Sequence, residues 1–258
     1  QMFGWPASQW EALGDLVDVM LATFNPMLPN DQRIEGYAAA GKIMQMLQVG
    51  AGQCPAHAAA TSDPMGLFCD IQGLVGTPAL NPTEAMSTAL DFLLGGYLSS
   101  VFLASTGIDN LLQHPSAMAA YRSGDAALRT NAFEEMKRFD APFQLADRYA
   151  SEDVTMGGLL IPKNAQVSLA FGSANHDPAV YGNTAEQFDI ERVAQPSQNL
   201  VFGAGEHRCI GEPMAIQTVP IVMDAVIEKY PKLATVADGA QKGVDPYFRS
   251  FSKLILSI

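Results

Sequence analysis

Charge is scarce in this sequence. Asp, Glu, Lys and Arg make up 16% of its 258 residues, and only 15 of them are basic against 27 acidic, for a formal net charge of -12. So few cations leave no positive footprint for a phosphate backbone, so no nucleic-acid partner is expected. Cysteine is scarcer still. Cys54, Cys69 and Cys209 cannot form a disulfide framework without one left over, and a reducing, cytoplasmic compartment is the simplest reading. No continuous apolar run reaches the roughly 18 residues that a membrane-spanning helix needs. The nearest, Phe92 to Ala104, is interrupted by Gly95, Gly96, Ser99 and Ser100, so no membrane partner is expected. Gln1 to Pro6 lack the charged, apolar and small-residue regions of a signal peptide, and no leader is expected there. Position 1 is not Met, so the chain need not begin where its gene does.

What is present is apolar: 48% of the residues are hydrophobic, enough in a chain of this length to bury a substantial core. A single domain over residues 1–258 is expected, mostly α with a small β region. Ser8 and Glu11 have capping-box spacing, followed by Leu13, Val17, Met20 and Phe24 at helical intervals, with Pro26 and Pro29 closing the segment. A second helix over about 31–47 carries Ile34, Ala38 and Met46 on its apolar face. Residues 50–64 are rich in Gly, Ala and Pro and receive no assignment. Asn81, Pro82 and Glu84 open a long helix in which Met86, Leu90, Leu93, Tyr97 and Val101 keep the 3–4 spacing as far as His114 and Pro115. Its apolar character all round predicts a buried central helix. Helices follow over 115–122 and 126–139. Val154 to Ile161 reads as a hairpin turning at Gly157 and Gly158, and Val167, Leu169 and Phe171 alternate as a strand does. Residues 177–196 are irregular and polar; helix returns after Cys209, and short strands close the chain over about 248–258.

The chemistry concentrates in residues 202–211, where Phe202, Gly203, Gly205, His207, Cys209 and Gly211 stand at fixed spacing. A thiolate on iron needs backbone amides around the sulfur and a backbone that can approach a flat cofactor, which glycine permits. A helix beginning after Gly211 adds a positive end near the sulfur. An isolated cysteine among glycines is most often a buried structural thiol. The full spacing resembles the haem-binding signature of the cytochrome P450 family, and Cys209 then corresponds to the axial iron ligand.

The resemblance spans essentially the whole chain. Glu135 and Arg138 are similar to the family's Glu-x-x-Arg helix motif and Arg192 to its later arginine. The resemblance implies that these three form a buried charge network behind the cysteine loop. Residues 174–178 resemble another family stretch, with His176 where arginine is usual. Arg148 and His207 fall where the family places haem-propionate partners. The implied fold is the C-terminal portion of the cytochrome P450 fold, including the long central helix and the cysteine-ligand loop. The implied cofactor is heme b. The implied activity is insertion of one oxygen atom from O2 into a small lipophilic substrate. Electrons would come from a separate donor such as a ferredoxin or a flavoprotein reductase, since no flavin or nicotinamide motif is present. Gly95, Pro142, Phe143 and Gln144 are the implied substrate-facing residues, with Gly96 and Ser99 at the oxygen-binding position.

Two departures qualify the resemblance. The match begins partway into the family's helical domain, so the chain is a truncated or fragmentary member, or an unusually short one. In the central helix, the family's acid–alcohol pair is replaced by Leu98 and Ser99. Leucine cannot relay a proton, and a hydroxyl alone works only through ordered water. That leaves two alternatives open: a peroxide-dependent oxygenase or hydroperoxide isomerase, and a non-catalytic remnant that binds haem or stays apo.

Overall fold

A computed structural model describes residues 7–25, 28–52, 54, 66–243 and 245–258. It falls into two compact units, Gln1–Tyr97 and Leu98–Ile258.

In the first unit, α1 (Trp10–Leu21) and α2 (Asn30–Ala51) pack together, and a short α3 (Gly66–Gly73) follows. Leu13, Val17 and Met20 are buried as the spacing predicts. The Ser8–Glu11 cap does not form: a 3-10 turn over Ala7–Gln9 precedes α1, and Gln9 at the cap position makes no side-chain cap bond. Ser8 therefore lies inside a turn rather than at the helix boundary. Phe24 is 54% exposed, because the chain tightens into 3-10 geometry at Ala22 and loses the 3–4 phase. Pro26 lies outside the described residues, as do residues 55–64 of the unassigned connection. The buried face of α2 is Gly36, Ala39, Ile43, Leu47 and Gly50, while Ile34 is 66% exposed and Ala38 is exposed too. Close approach to α1 decides this face: a Cβ on Gly36 would overlap the Thr23 methyl. Small residues win the contact over larger apolar ones.

The long helix α4 (Pro82–Gln113) starts on a reciprocal cap: the Asn81 N–H donates to Glu84 Oε2 (2.7 Å) and the Glu84 N–H to Asn81 Oδ1 (3.0 Å). Contrary to the run-length expectation, α4 is long and apolar enough, by length and composition, to cross a membrane. It is also only partly buried: Tyr97 and Val101 are exposed, whereas Leu103, Ile108 and Leu111 lie in the core. Thr106, Asp109 and Asn110 are buried on the same stretch. A polar set of this kind belongs to a protein interior, where Asn110 Nδ2 finds Asp140 at 2.7 Å.

In the second unit, the later turns of α4 pack with α5 (Pro115–Ser123), α6 (Ala126–Phe139) and α9 (Glu212–Lys229) around Leu111, Phe133, Met136, Val219 and Met223. Between α6 and α9 lie β1 (Leu145–Tyr149), the hairpin β2 (Val154–Met156) and β3 (Leu159–Ile161), β4 (Gln166–Ala170), and two single-turn helices, α7 (Phe171–Ala174) and α8 (Pro178–Tyr181). The hairpin turns at Gly157 and Gly158 with positive φ at both. Phe171 begins α7 instead of ending a strand, and β1, which pairs antiparallel with β4, has no alternation to mark it. A final antiparallel pair, β5 (Ala234–Lys242) and β6 (Phe251–Ser257), closes the chain.

Candidate cofactor site

The site rests on α6. Asp125 caps this helix by accepting from the Leu128 N–H (2.9 Å), and Glu135 and Arg138 follow one turn apart on a buried face. Arg138, 2% exposed, grips Glu135 with Nε at 2.7 Å and Nη2 at 2.8 Å. Its remaining donors reach the carbonyls of Asn175, Ala185 and Gln187 at 2.9, 2.7 and 3.0 Å. Arg192 Nε adds 3.2 Å to Glu135 Oε2, and the Asp189 N–H adds 2.9 Å to Oε1. Arg192 also ties Thr184 and Gln187 by their carbonyls at 2.7 and 3.1 Å. A stretch with little secondary structure of its own is thus fastened by two arginines that share one buried carboxylate.

Three asparagines that sequence reasoning did not single out continue the fastening. Asn131 Nδ2 donates to the Ile190 and Arg192 carbonyls, both at 2.6 Å. Asn175, fully buried, accepts from the Leu200 N–H at 2.8 Å, and Asn199 Nδ2 donates to the Glu134 carbonyl at 3.2 Å. They lie far apart in the chain, Asn131 within α6, and no local pattern marks them; their side-chain amides satisfy backbone groups that no ladder reaches. His176 sits against Phe139, its two ring nitrogens 2.9 Å from the Phe139 carbonyl and 3.1 Å from Glu186.

Leu200 leads directly into the cysteine loop. The Gly203 N–H bonds the Leu200 carbonyl (2.9 Å), the Arg208 N–H the Gly205 carbonyl (3.0 Å), and the Cys209 N–H closes the loop on the Phe202 carbonyl (2.8 Å). Gly203 and Gly205 have φ of 69° and 67°, a conformation that strains a side chain. Lys137 lies over the Phe202 ring at 5.2 Å. The Cys209 thiol is free and exposed, with Gly211 beside it; a Cβ on Gly211 would stand 3.7 Å from the sulfur. Ile210 is 81% exposed. Arg208, not singled out from the sequence, forks onto Glu212 with two bonds of 2.7 Å.

The other sequence-derived positions are placed as follows. Arg148, on β1, is exposed and bonds only the Asp147 carbonyl (2.8 Å); among the described residues neither it nor the exposed His207 has a carboxylate partner. Pro142 is buried, and Phe143 packs edge-on to Phe248. Gln144 is engaged by backbone: Nε2 donates to the Ala141 carbonyl at 2.6 Å. It also lines a cleft of about 650 Å³ with His176, Asp177 and Arg249. Gly95, Gly96 and Ser99 follow one another on α4, with open space where a Cβ on Gly95 would stand. Leu98 beside them is 5% exposed.

These features fit a haem. No group of three His, Cys, Asp or Glu side chains among the described residues could cage a metal. A lone exposed thiol on a glycine loop suits an ion that brings its own macrocycle, and exposed Ile210 offers that ring an apolar neighbour. Among the described residues Arg148 and His207 are donors without protein anions, as carboxylate substituents would require.

The fold and the cysteine loop point to the class of haem-thiolate proteins. Residues 125–239 match the cytochrome P450 family model. The biotin biosynthesis cytochrome P450 of Bacillus subtilis is 35% identical over 154 residues, which are 60% of this chain and 38% of that protein. The 6-deoxyerythronolide B hydroxylase of Saccharopolyspora erythraea is 36% identical over 159 residues, 62% of this chain and 38% of that protein. The solved structure of P450BioI in complex with an acyl carrier protein ligated to hexadec-9Z-enoic acid has a TM-score of 0.85 at 27% identity. It covers 100% of this chain and 64% of its own. Over residues 125–239 the chain is similar to the cytochrome P450 family, and it carries the C-terminal part of that fold. It spans well under half the length of the curated relatives it matches.

Proposed function

We propose that the chain is the haem-binding part of a monooxygenase that inserts one oxygen atom into a small lipophilic substrate, with heme b as cofactor. The observation that carries this reading is the exposed Cys209 thiol on a loop closed by its own N–H and backed by the Glu135–Arg138–Arg192 network. When bound, a thiolate-ligated haem supplies oxygen activation, because electron donation from sulfur favours O–O cleavage. Cys209 would be the ligand. Gly203, Gly205 and Gly211 let the backbone lie close to the ring, with Phe202 holding the loop through its carbonyl. Arg148 and His207 would hold the propionates. Gly95 and Gly96 leave room on α4, Ser99 offers a hydroxyl, and Pro142, Phe143 and Gln144 border the substrate. The electron donor is a separate protein of ferredoxin or flavoprotein type, and the compartment is the cytoplasm. The reading takes residues 1–258 as one haem domain. The hydroxylase among the relatives supports oxygen insertion over other haem chemistry.

Leu98 favours a second reading, a peroxide-dependent oxygenase or isomerase, because no acid stands beside Ser99 to deliver protons.

The test is the absorption spectrum of the haem-loaded protein, reduced and exposed to carbon monoxide. The strongly red-shifted Soret band of thiolate-bound iron is expected, and it disappears in Cys209→Ala. A band of histidine type, or the same band in the variant, overturns the assignment. Turnover with peroxide and none with an electron-transfer chain selects the second reading.

A further inference from the structure

Cys54 and Cys69, 15 positions apart in sequence, are bonded as a disulfide with Cα atoms 5.3 Å apart. One pair forms and one cysteine is left over, as the odd count requires. The third cysteine, Cys209, stays free, so pairing and ligand roles are divided between the two units. Cys54 lies just beyond α2 and is half-buried, so solvent reaches its side of the bond. Cys69 lies inside α3, 4% exposed. α3 has eight residues, too few to be a stable helix alone. Among the described residues, Phe68 packs on Gly50 of α2, Ile71 is buried, and Gln72 reaches the Met86 sulfur at 3.8 Å. The covalent bond removes freedom from the open states of this segment, an effect that grows with the loop it closes.

We infer that Cys54–Cys69 is a reversible redox link that sets how firmly α3 is held to the end of α2. The inference rests on the proposed cytoplasmic compartment and not on the haem reading. In cytoplasm, disulfides are mostly transient or sensing, and half-exposure of one partner gives a reductant access. The step balances as thiol–disulfide exchange. The thiolate of a small dithiol attacks Cys54 Sγ, the S–S bond breaks, and Cys69 leaves as a thiolate that takes a proton. The second thiol then displaces Cys54 and the dithiol departs oxidised. Oxidised glutathione reverses the sequence, taking two electrons from the two cysteines and leaving as two thiols.

The test combines thiol counting with hydrogen exchange on the full chain. Protein equilibrated with oxidised glutathione, quenched in acid and labelled in denaturant should present one thiol, and three after dithiothreitol. Cleavage at methionine should yield peptides 47–65 and 66–86 joined before reduction and separate after it. Reduction should speed amide exchange in α3 by about tenfold or more and leave α6 and α9 unchanged. Cys54→Ser, chosen because its side chain is only half-buried, should exchange like the reduced protein. Three thiols after glutathione treatment, Cys209 found in a pair, or equal α3 exchange in both forms would each overturn the proposal.

Discussion

The Glu135 carboxylate accepts from four donors: two on Arg138, one on Arg192 and the Asp189 N–H. Glu135 and Arg138 are both buried, so removing Arg138 takes away the bidentate partner of Glu135 and leaves it with Arg192 and the Asp189 N–H alone. Arg138→Met is therefore expected to cost about 3–5 kcal/mol in denaturant unfolding, and Glu135→Gln less, since the amide still accepts. Both variants should also loosen the cysteine loop, seen as faster exchange at Gly203 and Cys209. A second residue-scale effect is at Asp147, which accepts from Ser168 (2.5 Å), Tyr247 (2.8 Å) and Gln166 (2.9 Å). The Ser168 hydroxyl first, then Tyr247, holds its carboxyl below the usual carboxylate range. A depressed folded-state pKa contributes stability above the unfolded value of about 3.9, lost as pH falls through the folded value. Asp147→Asn should thus be less stable than the native chain at pH 7, with the difference fading below about pH 4 in acid titrations of unfolding.

Among the elements, boundaries were legible wherever a local signal acted alone. Asn81, Pro82 and Glu84 mark the start of α4 because the cap bonds lie within four residues. Asn81→Ala should cost about 0.5–2 kcal/mol and fray the first turn in hydrogen exchange. The α5 and α6 starts and the Gly157–Gly158 hairpin are equally local. Facing was not legible. α2 turns Gly36 to the preceding segment because backbone approach there outweighs burying Ile34, an effect set by Val19 and Thr23. Gly36→Ala should destabilise by about 1–3 kcal/mol, measured by thermal unfolding, since the added methyl must displace Thr23. β1 was missed because a five-residue edge strand paired on one side carries no two-sided alternation.

For the whole molecule, the haem reading predicts that Arg148→Ala and His207→Ala each speed haem transfer to an apoglobin by severalfold, while the carbon monoxide spectrum keeps its thiolate position. Cys209→Ala changes the spectrum itself. Sequence alone pointed to the class of chemistry through resemblance, because the cysteine loop that carries it is one contiguous run. It also pointed to Glu135, Arg138 and Arg192 through resemblance, but not to what each one touches. Only tertiary structure decided that Asn131, Asn175 and Asn199 fasten the segment behind that loop, that Gln144 is engaged by backbone, and that Cys54 meets Cys69. The physical reason is the same in each case. These contacts join residues distant in the chain, and a side chain's partner across such a distance is set by how helices and loops pack, which no local pattern encodes.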